Sequence, residues 1–181
     1  MQNEPTAQES AMEDRLRYIF GLVNDWLKFA ETKNAALVVA VSALLVVVCD
    51  HFPDAHATPW VRWSCIVGCA LLVVGGAVSL VSFIPDVNFK WLSAKCERRA
   101  THNLFFFGEI AQYSEFDFLD ALYDAESLPN QHKKLEADLA GQIVKNSQIT
   151  VRKFAQFKIA CWIAVIGIVA LAISAVLHVT R

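Results

Sequence analysis

The segment WSCIVGCALLVVGGAVSLVSFIP, Trp63 to Pro85, runs its whole length without a charged residue. So does IACWIAVIGIVALAISAVL, Ile159 to Leu177. A bilayer core is crossed by about 20 apolar residues in a helix, because a helix satisfies its own backbone where no water can. Both segments therefore read as transmembrane helices. The apolar run nearest the N-terminus, AALVVAVSALLVVVC, Ala35 to Cys49, lies between Lys33 and Asp50 and is short for a span. It crosses if Lys33 extends its ammonium to the headgroups and Asp50 and His51 sit at the opposite surface. A hydrophobic content of 55% over 181 residues agrees with this reading. The expected fold class is an all-α membrane protein with three transmembrane helices, the first one short, and a small helical cytoplasmic region between spans two and three.

Basic residues set the orientation, since Lys and Arg are retained on the cytoplasmic side. Arg15, Arg17, Lys28 and Lys33 precede the first run, and ten basic residues from Lys90 to Lys158 lie between the second and third. Arg62 stands in the loop after the first run, and Arg181 follows the third. The N-terminus and Asp86 to Lys158 are thus expected in the cytoplasm, with the short loop and the C-terminus outside. Trp60, Trp63, Trp91 and Trp162 lie near span ends, as interfacial anchors do. The divisions are a flexible leader 1–12, an amphipathic helix 13–34 continuing into span 35–51, and an external loop 52–61. A second span 62–84, a cytoplasmic region 85–158 and a third span 159–179 follow. The polar, partly acidic start of the chain does not read as a secretory signal.

Leu16, Ile19, Phe20, Val23, Trp26, Leu27 and Ala30 recur at helical steps, and no turn cluster separates them from the first span. One helix from about Met12 to Cys49 is expected. Its cytoplasmic half either lies on the inner leaflet or packs on the other cytoplasmic segment. Ser114 with Asp117 resembles a helix N-cap, and Phe118, Leu119, Leu122 and Tyr123 make an apolar face before a break at Pro129. A last helix is expected from about Gln131, with Leu135, Leu139, Ile143 and Ile149 inward and Gln142, Asn146 and Lys153 beside them, continuing into the third span. The aromatic head Phe105–Phe107 reads as core, and the acidic residues after it as a solvated face. Small residues line each span: Ala36, Ala40 and Ala43; Ser64, Gly68, Gly75, Ser79 and Ser82; Ala160, Ala164, Gly167 and Ser174. Such lines let helices approach closely, within a monomer or between subunits.

Catalytic signatures are missing from the sequence: no P-loop, GxGxxG, nucleophile elbow or HExxH occurs. The chain is not expected to be an enzyme. Cys65 and Cys69 stand one helical turn apart with no further ligands nearby, which favours core packing over metal. The histidines are dispersed, and no metal site is expected. A net charge of -2 offers no footprint for DNA or RNA. Arg98, Arg99, Lys133 and Lys134 are candidates to hold a phosphate, with Asn103 close enough in sequence to reach a base. The same cations would equally face anionic lipid or pair with the acidic residues 115–126.

Two motifs add to this. AETKNAALVVAVSALL, Ala30 to Leu45, carries Glu31, Thr32 and Lys33 into the first span. NLFFFGEIA, Asn103 to Ala111, follows the second span with Asn103, Phe105, Phe106, Phe107, Gly108 and Glu109. In order and spacing they resemble the membrane-effector family of bacterial Pycsar anti-phage systems, often called PycTM, over about residues 13 to 180. The resemblance implies a bacterial inner-membrane protein that responds to a cyclic pyrimidine nucleotide, cCMP or cUMP, made by a partner nucleotide cyclase on infection. It implies a homo-oligomer in lipid that impairs the membrane, by a pore or otherwise, so that the infected cell dies before phage is released. The activating nucleotide is a ligand; no cofactor is expected. A nucleotide site on this chain would come from Asp86 to Lys158, shared between subunits or with the N-terminal helix. The other reading is a passive membrane anchor whose acidic helix docks a soluble partner.

Overall fold

A computed structural model describes residues 7–51, 53, 57–84, 102–129 and 132–179. Among these residues there are five helices and no strand: α1 (Ala7–Asp50), α2 (Pro59–Val81), α3 (Phe107–Ile110), α4 (Glu115–Ala125) and α5 (Lys134–Val179). The chain forms two compact units. The first is Met1–Phe29 with Asp86–Arg152, and the second is Ala30–Pro85 with Lys153–Arg181. Two of the three boundaries, between Phe29 and Ala30 and between Arg152 and Lys153, fall inside unbroken helices, α1 and α5.

The core of the first unit is built from the predicted apolar stripes. Met12, Leu16, Ile19 and Val23 of α1 meet Phe118, Leu119, Leu122 and Tyr123 of α4 and Ala140, Ile143 and Val144 of α5, with Ile110 and Tyr113 between them. Each fully buried large side chain here is worth about 1.5–3 kcal/mol. Ser114 caps α4: its hydroxyl accepts from the Asp117 amide at 3.2 Å. The helix ends at Ala125, where Ser127 adopts a φ of 55°. The Leu128 amide then reaches back to the Tyr123 carbonyl at 3.0 Å, the wide bond of a Schellman-type cap. Chain reversal thus happens ahead of Pro129, where the break was expected.

Three further expectations for this unit are corrected. Helix α1 already begins at Ala7, inside the segment read as a leader. Leu135 is exposed, and the buried face of α5 runs through Glu136, Ala140, Ile143, Ser147 and Thr150. Two of its polar residues are paired, the Tyr123 hydroxyl donating to Glu136 Oε2 at 2.7 Å and the Thr150 hydroxyl to the Asn146 carbonyl at 2.7 Å, while the buried Ser147 hydroxyl has no partner. Phe105 and Phe106 are 40% and 43% exposed, so of the aromatic head only Phe107, partly buried, packs against the core. The nominally acidic tail supplies that core instead, because its helical spacing turns Phe118, Leu119, Leu122 and Tyr123 inward together.

In the second unit α2 and α5 come into backbone contact through small residues. A Cβ built on Gly68 would lie 3.0 Å from the Gly167 carbonyl oxygen, and one on Gly167 equally close to the Gly68 oxygen. A Cβ on Gly75 would meet the Ala160 carbonyl oxygen at 3.2 Å. The Ser174 hydroxyl donates to the Val61 carbonyl at 2.8 Å. Helix α1 joins through Val41, packed with Leu72 and Ala164. Its alanines Ala36, Ala40 and Ala43 face outward, so in α1 the line of small residues is not the one that packs within the chain.

Three helices are long and apolar enough to cross a membrane: Ala11–Asp50, Pro59–Val81 and Lys134–Val179. The first is 40 residues long, which corrects the expectation of a short span. Thr32, Lys33 and Asn34 leave the backbone ladder unbroken, so the helix extends well before the uncharged run. Val39, Val46, Val73, Val74, Ile166 and Val169 point away from the protein, which is the surface expected to meet lipid rather than water. Trp60, Trp63 and Trp162 are exposed on the same unit.

Candidate functional site

The motif residues Asn103 to Glu109 fold upon themselves. The Asn103 side-chain oxygen accepts the Phe105 amide at 2.9 Å, closing an Asx turn. The Glu109 carboxylate accepts the Asn103 amide. These two bonds tie Asn103 to Phe105 and to Glu109 of α3, which is one short turn. The Phe106 ring lies close over Gly108: a Cβ there would lie 2.6 Å from its Cε1. That ring packs on Phe107 at 4.8 Å between centroids, and Phe107 on Trp26 of α1 at 5.5 Å. Tyr18 meets Phe105 edge-on at 6.4 Å. The motif thus builds an aromatic surface against one face of α1, partly open to solvent.

The sequence-predicted cations are placed as follows. Arg98 and Arg99 lie outside the described residues. Lys133 and Lys134 are exposed at the start of α5, and the Lys133 amide donates to Glu136 Oε2 at 3.1 Å. Glu136 is almost fully buried and is held as well by Tyr123, so it caps α5 rather than facing a ligand. Asn103 has both its side-chain oxygen and its amide engaged within the motif. The acidic residues after the aromatic head are also occupied: Ser114 donates to Asp117 at 2.6 Å, His132 Nε2 lies 2.9 Å from Asp120, and Arg15 pairs with Glu126. Among the described residues no group of three or more His, Cys, Asp or Glu is placed to hold a metal ion.

The second motif, in the second unit, is built around Lys153. Glu31 Oε1 lies 3.1 Å from Lys153 Nζ. Lys33 Nζ lies 5.5 Å from the Phe157 ring centroid and 5.9 Å from that of Phe154, a cation–π arrangement on α5. Thr32 is exposed. Asn34 is completely buried and donates from Nδ2 to the Ala30 carbonyl at 3.0 Å and the Lys153 carbonyl at 3.3 Å. Sequence reading passed over Asn34 as a functional residue. The signal was present, because Val23, Ala30, Asn34 and Val41 continue one helical stripe.

At the other end of the spans, a cavity of about 440 Å³ lies among His51, Pro53, Cys65, Leu171, Ser174 and His178. His51 Nδ1 is within 2.9 Å of the Val47 carbonyl oxygen.

Helices of this length and outward apolarity, joined to a hydrogen-bonded unit of different surface, define a multi-pass, all-helical membrane protein. Residues 15–179 match the family model of the Pycsar effector protein domain, PycTM. The chain belongs to this family, and its role lies in a Pycsar defence system, functionally linked to a nucleotide cyclase. No curated protein and no solved structure matches it.

Proposed function

We propose that this chain is a non-catalytic effector that responds to a cyclic pyrimidine nucleotide, cCMP or cUMP. It then repacks or oligomerises in the bacterial inner membrane and destroys the membrane's barrier, so that the infected cell dies before phage is released. The observation that carries this reading is the continuity of α1 and α5, each of which belongs to both a hydrogen-bonded unit and a membrane-crossing one. A ligand that prefers one packing of the first unit shifts the population of whatever state that packing favours. The basic-residue count puts the first unit and the N-terminus in the cytoplasm and the C-terminus in the periplasm. Arg98 and Arg99 remain the leading phosphate contacts, with Lys133 and Lys134 next. Asn103 shapes the aromatic motif.

The test is purified full-length chain in liposomes with entrapped dye. Addition of cCMP or cUMP should release the dye, and calorimetry should show binding. Replacing Arg98 and Arg99 with Gln should abolish the response without removing protein from the membrane. No release and no binding with either nucleotide would refute the reading. An unchanged membrane potential during infection, with capture of one soluble partner, would favour the anchor instead.

A further inference from the structure

Lys153 is a charged residue nearly withdrawn from solvent, its side chain 12% exposed. It ties three elements of the second unit together. Its Nζ donates to the Ser82 carbonyl at the end of α2 at 2.7 Å and lies 3.1 Å from the Glu31 carboxylate of α1. The Phe83 ring centroid is 5.8 Å away. Its own backbone carbonyl accepts from buried Asn34 at 3.3 Å.

Around this node the pairing is incomplete. Asn34 Oδ1, Ser79 Oγ and Ser82 Oγ are buried without a hydrogen-bond partner. A buried polar atom left unpaired costs about 1–3 kcal/mol, and water reaching it removes that cost. Two opposing tendencies therefore meet at one end of the bundle. The polar seam of Asn34, Ser79 and Ser82 favours hydration, while the contacts of Lys153 draw α1, α2 and α5 together against it.

We propose that the Lys153–Glu31–Ser82 node is a latch that keeps the spans closed, and that its release admits water and small ions along the Asn34–Ser79–Ser82 seam. The identity of the trigger rests on the function proposed above, whereas the latch itself is tested without any nucleotide. The side chains that hold it have distinct roles: Lys153 is the tethered cation, Glu31 its counter-charge, and Asn34 the clamp on the Lys153 backbone.

The experiment measures potassium flux from liposomes holding the full chain, read with a potential-sensitive dye in the absence of nucleotide. Lys153→Met and Glu31→Gln should each raise flux about tenfold or more, since each removes a charge-assisted tie between α1 and α5. Lys153→Arg, which keeps charge and donors, should stay closed. The double variant E31Q/K153M should conduct no more than K153M alone. Wild-type flux from monodisperse E31Q and K153M overturns the latch, as does a K153R variant that conducts like K153M. Multiplying effects in the double variant overturn it too, because the two residues would then act separately. Where K153M does not fold, E31Q carries the test: it preserves size, and Glu31 is 44% exposed. If K153M conducts but neither cCMP nor cUMP opens the wild type, the latch stands and the proposed trigger fails. If the nucleotide opens the wild type while E31Q and K153M stay closed, the trigger stands and the latch fails.

Discussion

Replacing Gly167 with leucine would put a side chain where α2 and α5 have no space for one. A Cβ at this position already lies 3.0 Å from the Gly68 carbonyl oxygen, 3.1 Å from Leu71 Cβ and 3.3 Å from the Leu72 amide nitrogen. Favourable separation between non-bonded carbon atoms is about 3.5–4.0 Å. Two of the three neighbours are backbone atoms and cannot rotate away. Alanine therefore forces the helices apart by a few tenths of an ångström. It also removes the conformational penalty of a helical glycine, worth about 1 kcal/mol, so Gly167→Ala should come out near neutral. Leucine adds three more carbon atoms to the same contact and should cost about 2–3 kcal/mol. Gly21→Ala is the control: nothing lies within 4 Å of its Cβ, so it should stabilise by up to about 1 kcal/mol. The assay is thermal unfolding of detergent-solubilised protein, followed by circular dichroism; for a chain of this size about 2–4 °C corresponds to each kcal/mol. A G167L variant as stable as G21A would refute the close α2–α5 packing.

Ser127→Gly should stabilise the first unit by about 1 kcal/mol, because glycine adopts a positive φ without strain. A thermal scan showing destabilisation would count against the left-handed cap. Gly108→Ala should displace the half-exposed Phe106 ring from the backbone at a cost of about 1 kcal/mol or less, seen as a changed near-ultraviolet aromatic signal. Tyr123→Phe leaves buried Glu136 with a donor missing and should cost about 1–3 kcal/mol by urea unfolding, with helix content retained.

How much could be read from sequence depended on whether the determining contact was local. The three membrane-crossing helices and the Ser114 cap follow from spacing along one segment, and so does the inward face of α4. Two of the small-residue lines, on α2 and α5, pack within the chain; the third, on α1, does not pack within it, because which helix turns its small face inward depends on partners far away in the chain. Leu135 misled for a related reason. An apolar residue in the first turn of a helix has no claim on the core when Glu136, beside it, finds the Tyr123 hydroxyl and the Lys133 amide. Phe105 and Phe106 were misplaced because three successive phenylalanines cannot all face one way: Phe107 packs against the core, while the Phe106 ring lies over the backbone at Gly108. For the candidate site, the pairing of Glu31 with Lys153 spans more than a hundred residues and has no local signature. Buried Asn34 was visible as a stripe position, yet its polarity concealed it. Arg98 and Arg99 keep their sequence-derived standing, since they lie outside the described residues.

The buried hydrogen bonds of the first unit also bear on how it can move. Asn146 donates to Asn24 at 2.8 Å, Gln148 to the Ala111 carbonyl at 3.3 Å, and Tyr123 to Glu136 at 2.7 Å. A purely greasy interface tolerates small slips, because one aliphatic contact replaces another at little cost. This one is keyed. A slip of α5 by a single residue unmakes all three bonds together. A shift of α5 within this unit therefore breaks several bonds at once, which favours discrete arrangements over a continuous slide.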